Sequence, residues 1–293
     1  MTPYKMTPLS SHQTGAEIRG LNLAEPLDDE TKRRVNADFA KYHVLAFRDQ
    51  KLSPPQFAVA GDIFGPLMSH HNKEIRAGHP EVYEIRNTET APGKYHIAGA
   101  TFHTDHSNHP CPPRATALHT VSLPSRGGDT QFVNMHAAYD DLPELMKRRI
   151  EKLKAVHVFE SKFSPRKLRT LTEKSRSELP PPAIHPLVRT HPDNGRKFLY
   201  LNPVRIEAII GMETTAALAL VAELMAHATQ AKYEYRHKWL FGDMVIWDDR
   251  SVMHQANGDY DMKETRHLYR IMIQDDPAHW VSEGEKTLVA VNA

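Results

Sequence analysis

The 293 residues carry 37 basic and 36 acidic side chains, a formal net charge of +1, and 40% of them are apolar. This is a folded globular composition, and its near-neutral balance excludes the global field that gathers nucleic acid or an anionic membrane, so neither is expected as a partner. Cys111 is the only cysteine, which excludes an intrachain disulfide framework; residues 1–12 hold no apolar leader and no apolar run approaches the ~20 residues of a spanning helix, so a cytoplasmic protein is expected.

In chain order, residues 15–23 mix apolar and polar side chains as a strand does. Asp28 caps a helix in which Val35 and Phe39 lie one turn apart, and the run His43-Val44-Leu45-Ala46-Phe47 reads as a buried strand. Ser53 and Pro54 open a second helix that closes at Gly65. Helical patterns follow over 135–153 and 213–228, and strands over 233–240 and 244–247 meet at a Phe241-Gly242-Asp243 turn. Strands without regularly alternating helices predict a mainly β fold, an antiparallel barrel or sandwich with flanking helices, built as one domain over residues 1–293. Residues 160–182 stand apart: Lys162, Arg166, Lys167, Arg169, Lys174 and Arg176 precede Pro180-Pro181-Pro182. They predict an inserted excursion, either a solvated loop or a lid over the site.

The chemistry concentrates in residues 99–113, which hold three histidines, an aspartate and Cys111. On a strand, residues two apart share a face, so His103 and Asp105 present an imidazole and a carboxylate side by side while His106 points away. Two such ligands need a third, and two histidines with one carboxylate form the facial triad of non-haem Fe(II) oxygenases. His227, His237, His254 and His267 are the candidates. His254 is favoured because it follows the apolar run 244–247, at a rim where sites are built. Arg266 and Arg270, four apart in a strand-like segment, share one face as well; if that face is internal, each guanidinium needs an anion. Nothing marks a base for Cys111, so it is not read as a nucleophile.

These residues resemble the taurine dioxygenase and 2,4-dichlorophenoxyacetate dioxygenase family of Fe(II)- and 2-oxoglutarate-dependent oxygenases. The resemblance runs through Phe64-Gly65-Pro66-Leu67, Phe102-His103-Thr104-Asp105, the 124–130 segment ending at Thr130, the 185–192 segment, the 242–250 segment with His254, and Arg266 to Arg270. It implies a double-stranded β-helix, the jelly roll of cupin type, with His103, Asp105 and His254 as catalytic metal ligands. It further implies that 2-oxoglutarate chelates the iron, that Arg266 binds its distal carboxylate with help from Thr130, and that O2 is the other cosubstrate. Arg270 is then placed to hold the acidic group of a small anionic organic substrate, with His70 or His71 assisting, and His106 lining the pocket. Phe102 stands where many members have tryptophan, and Asp249 where asparagine is more usual.

Residues 189–199 and 227–239 look more like the phenoxyacetate-cleaving branch than the taurine branch, which points to an aryloxyalkanoate or other aromatic carboxylate, with succinate and CO2 as coproducts. An alkylsulfonate dioxygenase of the same family is the alternative within it. From other classes, a zinc hydrolase would use the same ligand types, and a non-catalytic cupin-like binding protein would keep the barrel; neither needs the Arg266 and Thr130 clamp. A homo-oligomer is compatible with the sequence, which does not specify one.

Overall fold

The computed structural model describes residues 2–69, 76–91, 94–165 and 180–280. Helix Asp29–Tyr42 begins where expected: the Asp28 carboxylate accepts from the Thr31 N–H, and Val35 and Phe39 are buried on one face. Helix Pro54–Gly61 opens with Ser53 N–H donating to Gln56 Oε1, and ends four residues before Gly65. The expected helix over 135–153 is two helices, Met135–Asp140 and Glu144–Ile150, because Pro143 has no N–H to continue the first and initiates the second instead. Helix Thr214–Ala228 is continuous, capped by Glu213. The expected strand over 233–240 shortens to Glu234–His237.

The largest sheet has seven strands in the order Lys5–Pro8, Ala16–Arg19, Val44–Phe47, Met244–Asp248, Ala115–Ser122, His267–Ile273 and Tyr83–Arg86. Among the described residues only the Ala16–Arg19 pairing with Val44–Phe47 is parallel. A second sheet runs Glu234–His237, Thr130–Asn134, Val252–Ala256, and a third runs Ala183–Pro186, Lys154–His157, Ile206–Ile209. The fold is a jelly roll, mainly β with helices outside it.

Strand alternation explains where the site sits. Met244 and Ile246 point outward, into a core with Val35, Phe39, Phe57 and Phe64 from the two N-terminal helices. Val245 and Trp247 point inward, against Phe132, Val252 and Leu268 from the facing strands. On the neighbouring strand Ala115 and Ala117 face the helices, so Thr116 and Leu118 face the interior. By the same period Leu268 and Arg270 share the inner face with Arg266, the arrangement expected for the two arginines. Among the described residues no helix is long and apolar enough to cross a membrane.

Candidate active site

His103 and His254 are brought together by the backbone itself. Each N–H donates to the other's carbonyl, at 3.0 and 2.8 Å, in a single antiparallel bridge between the 99–113 segment and the strand Val252–Ala256. This corrects the expected geometry in one respect: only His103 has strand-like pairing, and Asp105 already lies in a turn. His106 adopts a positive φ of 48° within that turn, which brings it to the same cavity as His103 and Asp105 instead of the opposite face.

His103, Asp105 and His254 each offer a ligand atom within 4.8 Å of the others. His103 Nδ1 lies 2.7 Å from the Thr101 carbonyl, which fixes the proton there and leaves Nε2 as the lone pair, 3.8 Å from Asp105 Oδ1. Asp105 Oδ2 is already taken, by Thr116 Oγ1 at 2.8 Å and Arg270 Nη2 at 2.7 Å. Burial alone would raise the Asp105 carboxyl, but the Arg270 guanidinium beside it holds it well below the usual range. Burial pushes His254 well below the usual histidine range. The set is therefore a neutral imidazole at His254, an imidazole at His103 with its lone pair exposed, and one carboxylate presenting a single oxygen. Such a set suits a divalent ion that keeps open positions.

Arg266, 5% exposed, has no carboxylate partner among the described residues. Its Nε donates to the Gly128 carbonyl at 2.8 Å and its Nη2 to Thr130 Oγ1 at 3.4 Å. Burial pulls its pKa below the ordinary arginine value. Thr130 Oγ1 also accepts from Trp239 Nε1 at 3.0 Å, so its own proton remains for a further acceptor. A buried cation held only by neutral dipoles, beside a hydroxyl with a proton to give, is a receptor for a carboxylate.

These groups line one cavity of about 290 Å³ with Ile85, Leu118, Phe159, Val204 and Trp247 on its apolar walls. Arg270 borders it while tied through Nη2 to Asp105. Burial, then the Arg270 cation, pushes His106 down to about 3, so at neutral pH it is an uncharged donor or acceptor. His70 and His71 lie outside the described residues, as do residues 166–179 of the expected lid. Cys111 is half-buried and pushed up to about 11 by burial and then Asp275, which agrees with its exclusion as a nucleophile.

Thr116 and Asp249, which contact the triad carboxylate directly or through one hydroxyl, were not singled out as site residues by sequence reasoning. Thr116 lies in a strand that also carries His119, Thr120 and Ser122, so nothing in the residues sets it apart. A second histidine cluster, His43, His136 and His191, has donor atoms equally close. His191, however, spends Nε2 on Asp248 at 2.9 Å and Nδ1 on the Asp193 N–H at 3.2 Å, so it reads as packing held by hydrogen bonds.

Residues 5–272 match the family described as taurine catabolism dioxygenase TauD, TfdA family. The chain is 33% identical over 276 residues, 89% of it and 94% of the relative, to the alpha-ketoglutarate-dependent 2,4-dichlorophenoxyacetate dioxygenase of Cupriavidus pinatubonensis. It is 31% identical over 259 residues, 84% of it and 82% of the relative, to the alpha-ketoglutarate-dependent sulfate ester dioxygenase of Pseudomonas putida. Among solved structures, AAD-2 in complex with Mn(II) and N-oxalylglycine superposes with a TM-score of 0.81 at 28% identity, over 94% of this chain and 98% of that one.

Proposed function

From the premise that the chain belongs to the TauD/TfdA family, and so is an Fe(II)- and 2-oxoglutarate-dependent dioxygenase, we propose that it hydroxylates a small aromatic or aryloxy carboxylate. Family membership sets aside the zinc hydrolase and the non-catalytic binder. His103, Asp105 and His254 would hold the iron, which when bound supplies the centre where O2 is activated as 2-oxoglutarate is oxidised to succinate and CO2.

The remaining work falls to the chain's own side chains. Arg266 and Thr130 bind the distal carboxylate of 2-oxoglutarate, and this orients the other end of the cosubstrate toward the triad. Arg270 holds the substrate's acidic group through the guanidinium nitrogens not spent on Asp105. His106, uncharged, lines the substrate's approach, and the walls Ile85, Leu118, Phe159 and Val204 receive an apolar or aromatic body and exclude water.

The observation that carries the substrate reading is the Arg270 guanidinium beside the apolar walls Ile85, Leu118, Phe159 and Val204, in the same cavity of about 290 Å³ as the triad and Arg266. The triad and the Arg266 clamp line the same cavity, so metal and cosubstrate would share that volume with the substrate. The likeness to the 2,4-dichlorophenoxyacetate dioxygenase supports an aryloxyalkanoate, where hydroxylation of the carbon bearing the ether oxygen would be followed by cleavage of the C–O bond. Succinate formation measured across aryloxyacetates, arylalkanoates, alkylsulfonates and alkyl sulfates tests this. Stimulation by aromatic carboxylates is expected; stimulation confined to sulfonates or sulfate esters would overturn the substrate class and leave the reaction class standing.

A further inference from the structure

Thr116 places its hydroxyl between two carboxyl groups: Oγ1 lies 2.8 Å from Asp105 Oδ2 and 2.7 Å from Asp249 Oδ2. A threonine hydroxyl has one proton, so it can donate to only one of them. The other short contact requires a proton on a carboxyl oxygen.

Which carboxyl carries it follows from the surroundings. Asp105 accepts from the Arg270 guanidinium at 2.7 Å, a charged partner that favours its anion. Asp249 is 1% exposed and has no cationic partner among the described salt bridges; its Oδ1 accepts from Trp247 Nε1 at 2.9 Å. Its backbone is pinned as well, the N–H donating to the Arg114 carbonyl at 3.0 Å and the carbonyl accepting from the Thr104 hydroxyl. An anion there would be buried against a second anion, an arrangement that neutralises one of the two.

We propose that Asp249 is a neutral carboxylic acid acting as a positioning residue: its O–H donates to Thr116 Oγ1, Thr116 donates to Asp105 Oδ2, and Asp105 Oδ1 alone is left aimed beside His103 and His254. The positioning role rests on the reading of those three residues as the metal ligands. The pattern required at this position, one donor toward Thr116 and one acceptor for Trp247, is also the pattern an asparagine amide supplies.

Two measurements on the full chain test this. Infrared difference spectra of metal-free wild type against Asp249→Asn at neutral pH should show a protonated-carboxyl band, sensitive to deuterium exchange, that only the wild type has. Absence of that band would overturn the proposal. Mn(II) titration in the presence of 2-oxoglutarate then reads the positioning role. Thr116→Val, close to threonine in volume, should weaken Mn(II) about 10–100-fold, Thr116→Ser should recover most of that loss, and Asp249→Asn should bind more tightly than Asp249→Leu. Equal affinity of Thr116→Val and wild type, or loss in Asp249→Asn as large as in Asp249→Leu, would overturn the relay. A wild type that shows the infrared band but binds no Mn(II) would instead contradict the metal assignment, and with it the positioning role alone.

Discussion

Replacing Arg266 with methionine should separate ligand binding from folding. The guanidinium is 5% exposed and meets only the Gly128 carbonyl and the Thr130 hydroxyl, with no carboxylate within ion-pair distance among the described residues. A charge held that way costs the unliganded protein, and an apolar side chain of similar length removes the cost. The unliganded variant should therefore be within about 1 kcal/mol of wild type or more stable. Binding behaves oppositely. Two charge-assisted hydrogen bonds to a carboxylate, at about 1.5–3 kcal/mol each, make a loss of about 3–6 kcal/mol. The 2-oxoglutarate Kd should rise by about 10²–10⁴. Thermal unfolding with Mn(II), with and without 2-oxoglutarate, joined to calorimetric titration, reads both quantities. Cosubstrate binding of wild-type strength, or an unliganded variant destabilised by several kcal/mol, would refute the reasoning.

Three further outcomes follow from other residues. Arg270→Ala should raise the KM for the acidic substrate far more than for 2-oxoglutarate; because Arg270 also holds the Asp105 carboxyl low, Mn(II) binding should fall off at a higher pH than in wild type, and unchanged profiles would contradict both roles. Burial pushes His136 and His185 down to about 4, and His43 and His157 below the ordinary value, so the unfolded chain binds more protons below pH ~6.5. Stability should thus be full above that pH and decline toward pH 4, by up to about 1.4 kcal/mol per pH unit for each histidine; urea midpoints flat from pH 7 to 4.5 would argue against buried neutral rings. Gly127→Ala puts a Cβ 2.5 Å from the Asp259 carbonyl at a φ of +68°, so it should lower the urea midpoint and, by shifting the neighbouring Gly128 carbonyl, weaken 2-oxoglutarate binding; a wild-type Kd would dissociate this turn from the Arg266 clamp.

Much of the architecture was legible because local chemistry and burial agree. Asp28 and Ser53 mark helix starts that tertiary packing retains, and the 244–248 run alternates Met244 and Ile246 against Val245 and Trp247 as a strand between two cores must. The 135–153 pattern misled because its apolar spacing continues across Pro143, where the backbone cannot. In the site, the spacing His103-x-Asp105 and a late histidine identify the cluster, yet the reason given for the pair, a shared strand face, is not how the chain achieves it. A single bridge to His254 and a turn through His106 do so, and neither the turn nor the positive φ at His106 has a marker in the residues themselves. Long-range partners were least visible. Thr116 reaches Asp105 and Asp249 across 11 and 133 positions, contacts made to two turns that no local pattern marks.

The most direct test of the account is anaerobic addition of Fe(II) and then 2-oxoglutarate to the purified protein, followed by visible absorption. A weak metal-to-ligand charge-transfer band that appears only with both, is lost in His103→Ala, Asp105→Ala and His254→Ala, and shifts on adding an aryloxyacetate is the predicted result. Folded protein that gives no band, or a band that survives loss of any of the three side chains, would contradict the assignment of this site.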